Sequence, residues 1–223
     1  MLGAMQGTEI RVPVRDFSVT ATVHGSGATV VALGHGAGGD RKTPLLVRLA
    51  DALASSGRSA VLYNFPYTDA RRRAPDPPEV LEMTARSVAD HARESLGARR
   101  VVHGGKSMGG RIASQAVAKG AAADGLLFLG YPLHPPGRTE IRRDRHLPGV
   151  GVPMLFVQGT RDAFARWDLL EGLIQRRGET ATLHRVEDGD HSFKVPKRSG
   201  RTPADVETEV FQAALAWLAA KGL

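Results

Sequence analysis

The chain has 223 residues, 42% of them hydrophobic and 24% charged, and carries a formal net charge of +7. No apolar run reaches the ~20 residues that a membrane-spanning helix needs, and with no cysteine there can be no disulfide, thiolate nucleophile or cysteine metal site. The opening residues run into Glu9 and Arg11 without an apolar signal core, so no cleaved leader is expected and a reducing cytoplasm is the expected setting.

A basic balance is compatible with nucleic acid, because a positive face displaces counterions from phosphates. Here only six of the 30 basic residues are lysine, and the arginines are scattered. They are dense only at Arg71, Arg72 and Arg73 and at Arg138, Arg142, Arg143 and Arg145. Such runs read as solvated faces, and no nucleic-acid or membrane partner is expected. The length fits one domain, with no linker and no internal repeat dividing it.

In chain order, two strands are predicted near residues 8–14 and 17–23, the second on the alternation of Val19, Ala21 and Val23 with polar neighbours. Gly25, Ser26 and Gly27 then turn the chain. Short apolar runs follow at Thr29–Leu33, Ala60–Asn64, Arg100–His103, Leu126–Leu129, Met154–Val157 and Thr182–Val186. Continuous apolar strands are buried on both faces, the mark of a mostly parallel sheet. Helices are predicted between them, near 44–55, 78–95, 108–119, 164–177 and 204–220, with Pro78 and Pro203 in first turns. Strands alternating with helices specify an α/β fold with helices on both faces and antiparallel strands at its start. Two stretches break the alternation, 66–77 and 131–150, and both follow strand ends, where open α/β sheets bind ligands.

Gly105-Lys106-Ser107-Met108-Gly109 matches G-x-S-x-G directly after a predicted strand and before a predicted helix. That turn strains the serine and lifts its hydroxyl above the sheet edge, which requires small neighbours. A serine hydroxyl needs a base, and the base needs an orienting acid. Asp162 follows the strand Met154–Val157, and His191 follows Thr182–Val186, giving the order Ser, Asp, His at one sheet edge. Asp188 and Asp190 are the rival acids, but they lie too close to His191 in sequence to reach behind its ring. Gly34-His35-Gly36-Ala37-Gly38-Gly39 follows Thr29–Leu33, and its open backbone offers donors to a developing oxyanion. The backbone N–H groups of Ala37 and Met108 are assigned that role, with His35 bracing the turn.

The combination His35–Asp40, Gly104–Gly109, Gly130–His134, Gly159–Asp162 and Asp190–Phe193 resembles one branch of the α/β-hydrolase superfamily, the dienelactone-hydrolase-like group related to the testis-expressed and chromatin-complex hydrolase-like proteins. The resemblance runs from about Ala28 to the end. It implies an α/β-hydrolase core without a large cap and a triad of Ser107, Asp162 and His191. Dienelactone hydrolases proper use a cysteine nucleophile, so their substrate is not carried over to Ser107.

The expectation is thus a serine hydrolase, a carboxylesterase acting on a small or medium acyl substrate, with no cofactor and no metal. Its activity should fall at acidic pH as His191 protonates. Phe65, Tyr67, Tyr131, Leu133 and Phe193 are expected to line an acyl pocket, and Lys106 to be exposed on the elbow. The arginines of the two loops, Arg142 and Arg143 above all, point to an acidic substrate. The contrasting expectation is a hydrolase fold kept as a silent binding module. Nucleotide binding at Gly104-Gly105-Lys106-Ser107 is disfavoured because the phosphate-loop pattern needs glycine where Arg100 stands.

Overall fold

A computed structural model describes residues 7–223. The opening residues on which the absence of a leader was read lie outside this range. Eight strands form one sheet: β1 (Thr8–Val14), β2 (Phe17–His24), β3 (Thr29–Gly34), β4 (Ser59–Tyr63), β5 (Arg100–Lys106), β6 (Gly125–Leu129), β7 (Met154–Gly159) and β8 (Ala181–Val186). Their order across the sheet is β1-β2-β4-β3-β5-β6-β7-β8. β1 and β2 form a hairpin and β2 joins β4 antiparallel, while every pairing from β4 to β8 is parallel.

The parallel strands β3 to β7 are apolar at both parities because each has two covered faces, whereas β8, at the sheet edge, carries exposed Thr182 and Arg185 and departs from the expected buried run. In β3, Val31 and Leu33 pack with Leu46, Leu49 and Leu53 of α1 (Pro44–Ser55) and Val210 and Trp217 of α6 (Pro203–Ala220). Val30 and Ala32 face the other way, toward Ala85 and Val88 of α3 (Pro78–Glu94) and Ile112 of α4 (Met108–Ala118). Phe128 and Phe156 continue that second face against Leu170 and Leu173 of α5 (Trp167–Arg177). Pro203 begins α6, and Thr202 with Asp205 closes a reciprocal capping box, so the start of this helix is written in its first residues.

Some boundaries differ from the sequence expectation. The stretch 66–77 contains a short helix, α2 (Pro66–Asp69), and α5 begins at Trp167, three residues later than expected at 164. Residues 162–166 are occupied in a turn, with Phe164 N–H donating to Asp162 Oδ1 and Ala165 N–H to the Asp162 carbonyl. The stretch 131–150 holds only one 3-10 turn, Leu147–Gly149. No helix among the described residues is long and apolar enough to cross a membrane.

Candidate active site

The parallel strands all end at one edge, and the residues just past β3, β5, β7 and β8 meet there. Ser107 follows β5 with φ 52° and ψ −113°, a left-handed backbone that an L-residue adopts at a cost. The turn is possible because of its glycines. A Cβ on Gly109 would lie 2.1 Å from the Gly34 carbonyl oxygen, so β3 and the start of α4 touch backbone to backbone. Nothing flexible lies on either side to yield. Gly109→Ala should therefore lower stability by about 3 kcal/mol, roughly a 6–12 °C fall in melting temperature. Gly151, where an added Cβ meets nothing, supplies the control. Equal melting temperatures for Gly109→Ala and Gly151→Ala would refute the close approach.

Ser107 Oγ lies 2.8 Å from His191 Nε2, and His191 Nδ1 lies 2.7 Å from Asp162 Oδ2. Because the carboxylate can only accept, Nδ1 carries the proton and Nε2 is left to accept from the serine hydroxyl. The Asp162 side chain is fully buried, and the His191 side chain is 21% exposed. Gln158 Nε2–H donates to the same Asp162 oxygen, and the Gln158 carbonyl accepts from Tyr131 N–H at 2.8 Å. The Phe164 ring lies over the imidazole with centroids 4.2 Å apart. The rival acids are used elsewhere. Asp190 Oδ1 accepts from the N–H groups of Ser192 and Lys194, and Asp188 faces Arg198 at 3.7 Å.

Ala37 and Met108 both border the cleft beside Ser107. Met108 opens α4, so its N–H has no partner within the helix. His35 is fully buried below the Ala37 turn. Its Nδ1–H donates to the Gly36 carbonyl, and its Nε2 accepts from Phe65 N–H at 3.2 Å. Burial holds this imidazole below its ordinary pKa, which keeps it neutral and lets it accept and donate at once.

The cleft, about 610 Å³, has Pro75 on one side and Pro132 and Arg143 on the other, so both irregular stretches reach it. Leu45, Met108 and Phe164 add apolar surface to that of the two prolines. The structure puts none of the five expected pocket residues on this surface. Phe65 and Tyr67 pack edge-on against the His35 ring. Tyr131 stacks with Phe128 and Phe156, Leu133 is fully buried, and Phe193 lies beneath Lys106. Large apolar side chains at strand ends turn into the core, where their area is worth most, and leave the cleft to the residues around them. Tyr67 instead borders a second, shallower groove that shares Gly39 and Thr43 with the first.

Lys106 also departs from expectation. It is half-buried, and its ammonium donates to the His191 carbonyl at 2.6 Å. Gly130, at φ 69°, makes the room, since a Cβ there would lie 2.9 Å from Nζ. Burial pulls the Lys106 pKa down to about 8, against the pull of Asp162 and Asp190. Gln158, Phe164, Lys106 and Arg111 are the site residues that sequence reasoning missed. Only Lys106 carried a signal, as the residue preceding the elbow serine. Among the described residues, no group of three histidine, aspartate or glutamate side chains is placed to hold a metal ion.

A model of the alpha/beta hydrolase domain matches residues 27–219. Solved structures with the same fold include a dienelactone hydrolase from Anabaena variabilis, 20% identical, with 96% of this chain and 98% of that one covered at a TM-score of 0.73. XC6422 from Xanthomonas campestris, described as an α/β serine hydrolase without a lid, is 17% identical, with 97% of each chain covered and a TM-score of 0.73. Est1E from Butyrivibrio proteoclasticus is 12% identical, with 96% and 98% covered and a TM-score of 0.74. Because the match to the domain model spans most of this chain, the chain belongs to the α/β hydrolase family.

Proposed function

We propose that the chain is a serine hydrolase that cleaves carboxylic esters of small or medium acyl groups, with Ser107 as nucleophile, His191 as base and Asp162 as the orienting acid. One observation carries the reading: the unbroken line of hydrogen bonds from Asp162 Oδ2 through both imidazole nitrogens to Ser107 Oγ. The three residues come from three different loops, and a fortuitous meeting in this order is hard to obtain. The names of the similar proteins, a serine hydrolase without a lid and a dienelactone hydrolase among them, agree with it.

His191 Nε2 takes the hydroxyl proton as Ser107 Oγ bonds to the ester carbonyl carbon. The Ala37 and Met108 amides receive the oxyanion as it forms. Collapse breaks the bond to the leaving alkoxide, which takes the proton from His191 and departs as the alcohol. Water then loses a proton to His191, attacks the acyl-enzyme and releases the acid with Ser107 restored. Every proton moves among this chain's own groups, the substrate and water. The cytoplasm is the proposed setting, since a chain without cysteine has nothing at stake in a reducing milieu.

Labelling with a fluorophosphonate tests the reading. A single covalent adduct by intact mass, absent from Ser107→Ala, is the expected result. No adduct on the folded natural chain would leave the fold as a binding module.

Within this reading Lys106 is a positioning residue, acting through the His191 main chain. Lys106→Met should reduce ester turnover about ten- to hundredfold, the usual cost of a slightly displaced base. The natural chain should lose turnover above a midpoint of about pH 8, as the ammonium gives up its proton and its charged grip on the carbonyl. The methionine variant should lack that limb. Stability should move the opposite way. A lysine pKa held below its ordinary value means the buried charge costs stability below about pH 8. That cost fades as pH rises toward the ordinary lysine value. An unchanged pH profile in Lys106→Met would remove the assignment.

A further inference from the structure

The cleft beside Ser107 is bordered by Lys106, Arg111 and Arg143 and by no aspartate or glutamate. Lys106 is committed to the His191 carbonyl. The two arginines have no counter-ion among the described residues, whereas two neighbours of Arg143 in the same loop do. Arg142, adjacent to Arg143, pairs with Asp144, and Arg138 with Glu140. Arg93 and Arg100 share Asp124. Two guanidiniums without an ion pair therefore stand side by side in the cleft where a substrate would enter.

Both are held in place. Arg111 lies one helical turn beyond the nucleophile, its N–H donating to the Ser107 carbonyl at 3.1 Å. Its guanidinium reaches Gln115 Oε1 at 3.1 Å, yet its Nε is buried with no partner. Arg143 sits in the irregular stretch 131–150, but its main chain is fixed on both sides. Its N–H donates to the Leu133 carbonyl at 2.9 Å, and its carbonyl accepts from Tyr131 Oη–H at 2.8 Å. Its side chain makes no hydrogen bond and no ion pair among the described residues.

Burial first, and then the charge of Arg143, lower the Arg111 pKa, so the two cations work against each other in a partly dry site. An arrangement that costs free energy in the empty protein is relieved when a ligand brings the missing negative charge. Guanidinium forks match the two-oxygen geometry of carboxylate and phosphate better than any other side chain does.

We propose that Arg111 and Arg143 form a recognition site for an oxyanion on the substrate, a carboxylate or a phosphate, and that the preferred substrates are anionic esters. The inference rests on the ester-hydrolase reading and names the substrate class of that same cleft. Arg142, which the sequence pointed to alongside Arg143, takes no part, because Asp144 already holds it. Arg111 joins Arg143 instead. The anion sits beside the reacting carbonyl, within reach of the first turn of α4, so the charge and the scissile bond are a few atoms apart.

The test compares three 4-nitrophenyl esters on the full chain: the neutral butyrate, the half-ester of glutaric acid, and the ester of 3-phosphonopropionic acid. One charged ester should exceed the butyrate in kcat/KM by about tenfold or more, and the one that does identifies the anion. Arg111→Gln and Arg143→Gln should each cut that ratio about tenfold, the loss expected for one charge-assisted hydrogen bond. Arg142→Gln should not change it. A ratio near one in the natural chain, or an equal loss in Arg142→Gln, overturns the inference and leaves the triad reading intact.

If no ester is turned over and no serine is labelled, the triad reading falls, and calorimetry decides the anion site alone. Binding of glutarate or 3-phosphonopropionate that weakens about tenfold in Arg143→Gln upholds the site. No binding to the natural chain overturns it. Arg143→Lys, which keeps the charge and loses the fork, should fall between, and it guards against a misfolded glutamine variant.

Discussion

Ser107→Gly is expected to melt about 2–4 °C above Ser107→Ala, a gain of about 1 kcal/mol, while both variants lose ester turnover by roughly 10⁴–10⁶-fold. The comparison works because both variants lack the hydroxyl and its bond to His191, so that loss cancels. What differs is the Cβ. At φ 52° and ψ −113° alanine keeps the strain that serine bears, whereas glycine occupies that region freely. Glycine also makes the unfolded chain more disordered, which offsets about 0.4–1 kcal/mol of the relief. Thermal melts and turnover on the same preparations check both halves. A Ser107→Gly chain that melts below Ser107→Ala would mean that the elbow is unstrained. Residual turnover above 1% in either would remove Ser107 as nucleophile.

Asp162→Asn should cost about 10⁴-fold in turnover with little loss of structure. The reason is a count of donors. Three N–H groups point at the two carboxylate oxygens: Phe164 N–H at Oδ1, and Gln158 Nε2–H and His191 Nδ1–H at Oδ2. An amide has only one oxygen. If that oxygen serves Phe164, its NH₂ faces His191 and Gln158, and the imidazole must present a lone pair at Nδ1. The proton then moves to Nε2, which can no longer accept from Ser107 Oγ. If the oxygen turns to His191, the NH₂ meets the Phe164 N–H. Asp190→Asn is the comparison, because Asp190 caps its own turn. An equal loss of turnover in the two variants would defeat the assignment of Asp162.

The sequence made the order of the three residues legible because Ser107 and Asp162 follow runs that form buried strands and His191 follows the strand at the edge of the sheet. It was less informative about where those strands stop. β5 was expected to end at His103, since glycine weakens a strand, and it continues to Lys106. The two glycines are what allow the continuation: a Cβ on Gly104 would lie 2.1 Å from the Leu127 carbonyl oxygen, and one on Gly105 the same distance from that of Gly34. A residue that looks like a strand breaker is here the condition for close pairing.

The walls of the cleft were not legible. Tyr131 and Phe193 stand in sequence where pocket residues would, but whether a side chain at a strand end points up or down depends on neighbours far along the chain. Arg111 and Phe164 face the cleft for the same reason, and nothing near them in sequence announces it. The pairing of Arg142 with Asp144 two residues on was open to a local reading, and it separates two adjacent arginines that composition alone treats as equals.

The line from Asp162 to Ser107 joins residues 55 positions apart through a histidine that lies 84 positions from the serine. It crosses β5, β6, β7 and β8, neighbours that are built in chain order. No early fragment of the nascent polypeptide holds all three groups, and His191 is added only 84 residues after Ser107. A chain emerging from the ribosome thus carries an unreactive serine until the last parallel strand has docked. Parallel pairing over such separations is slow to form, so the nucleophile stays inert through the period when exposed, half-built intermediates would be most exposed to stray acylation.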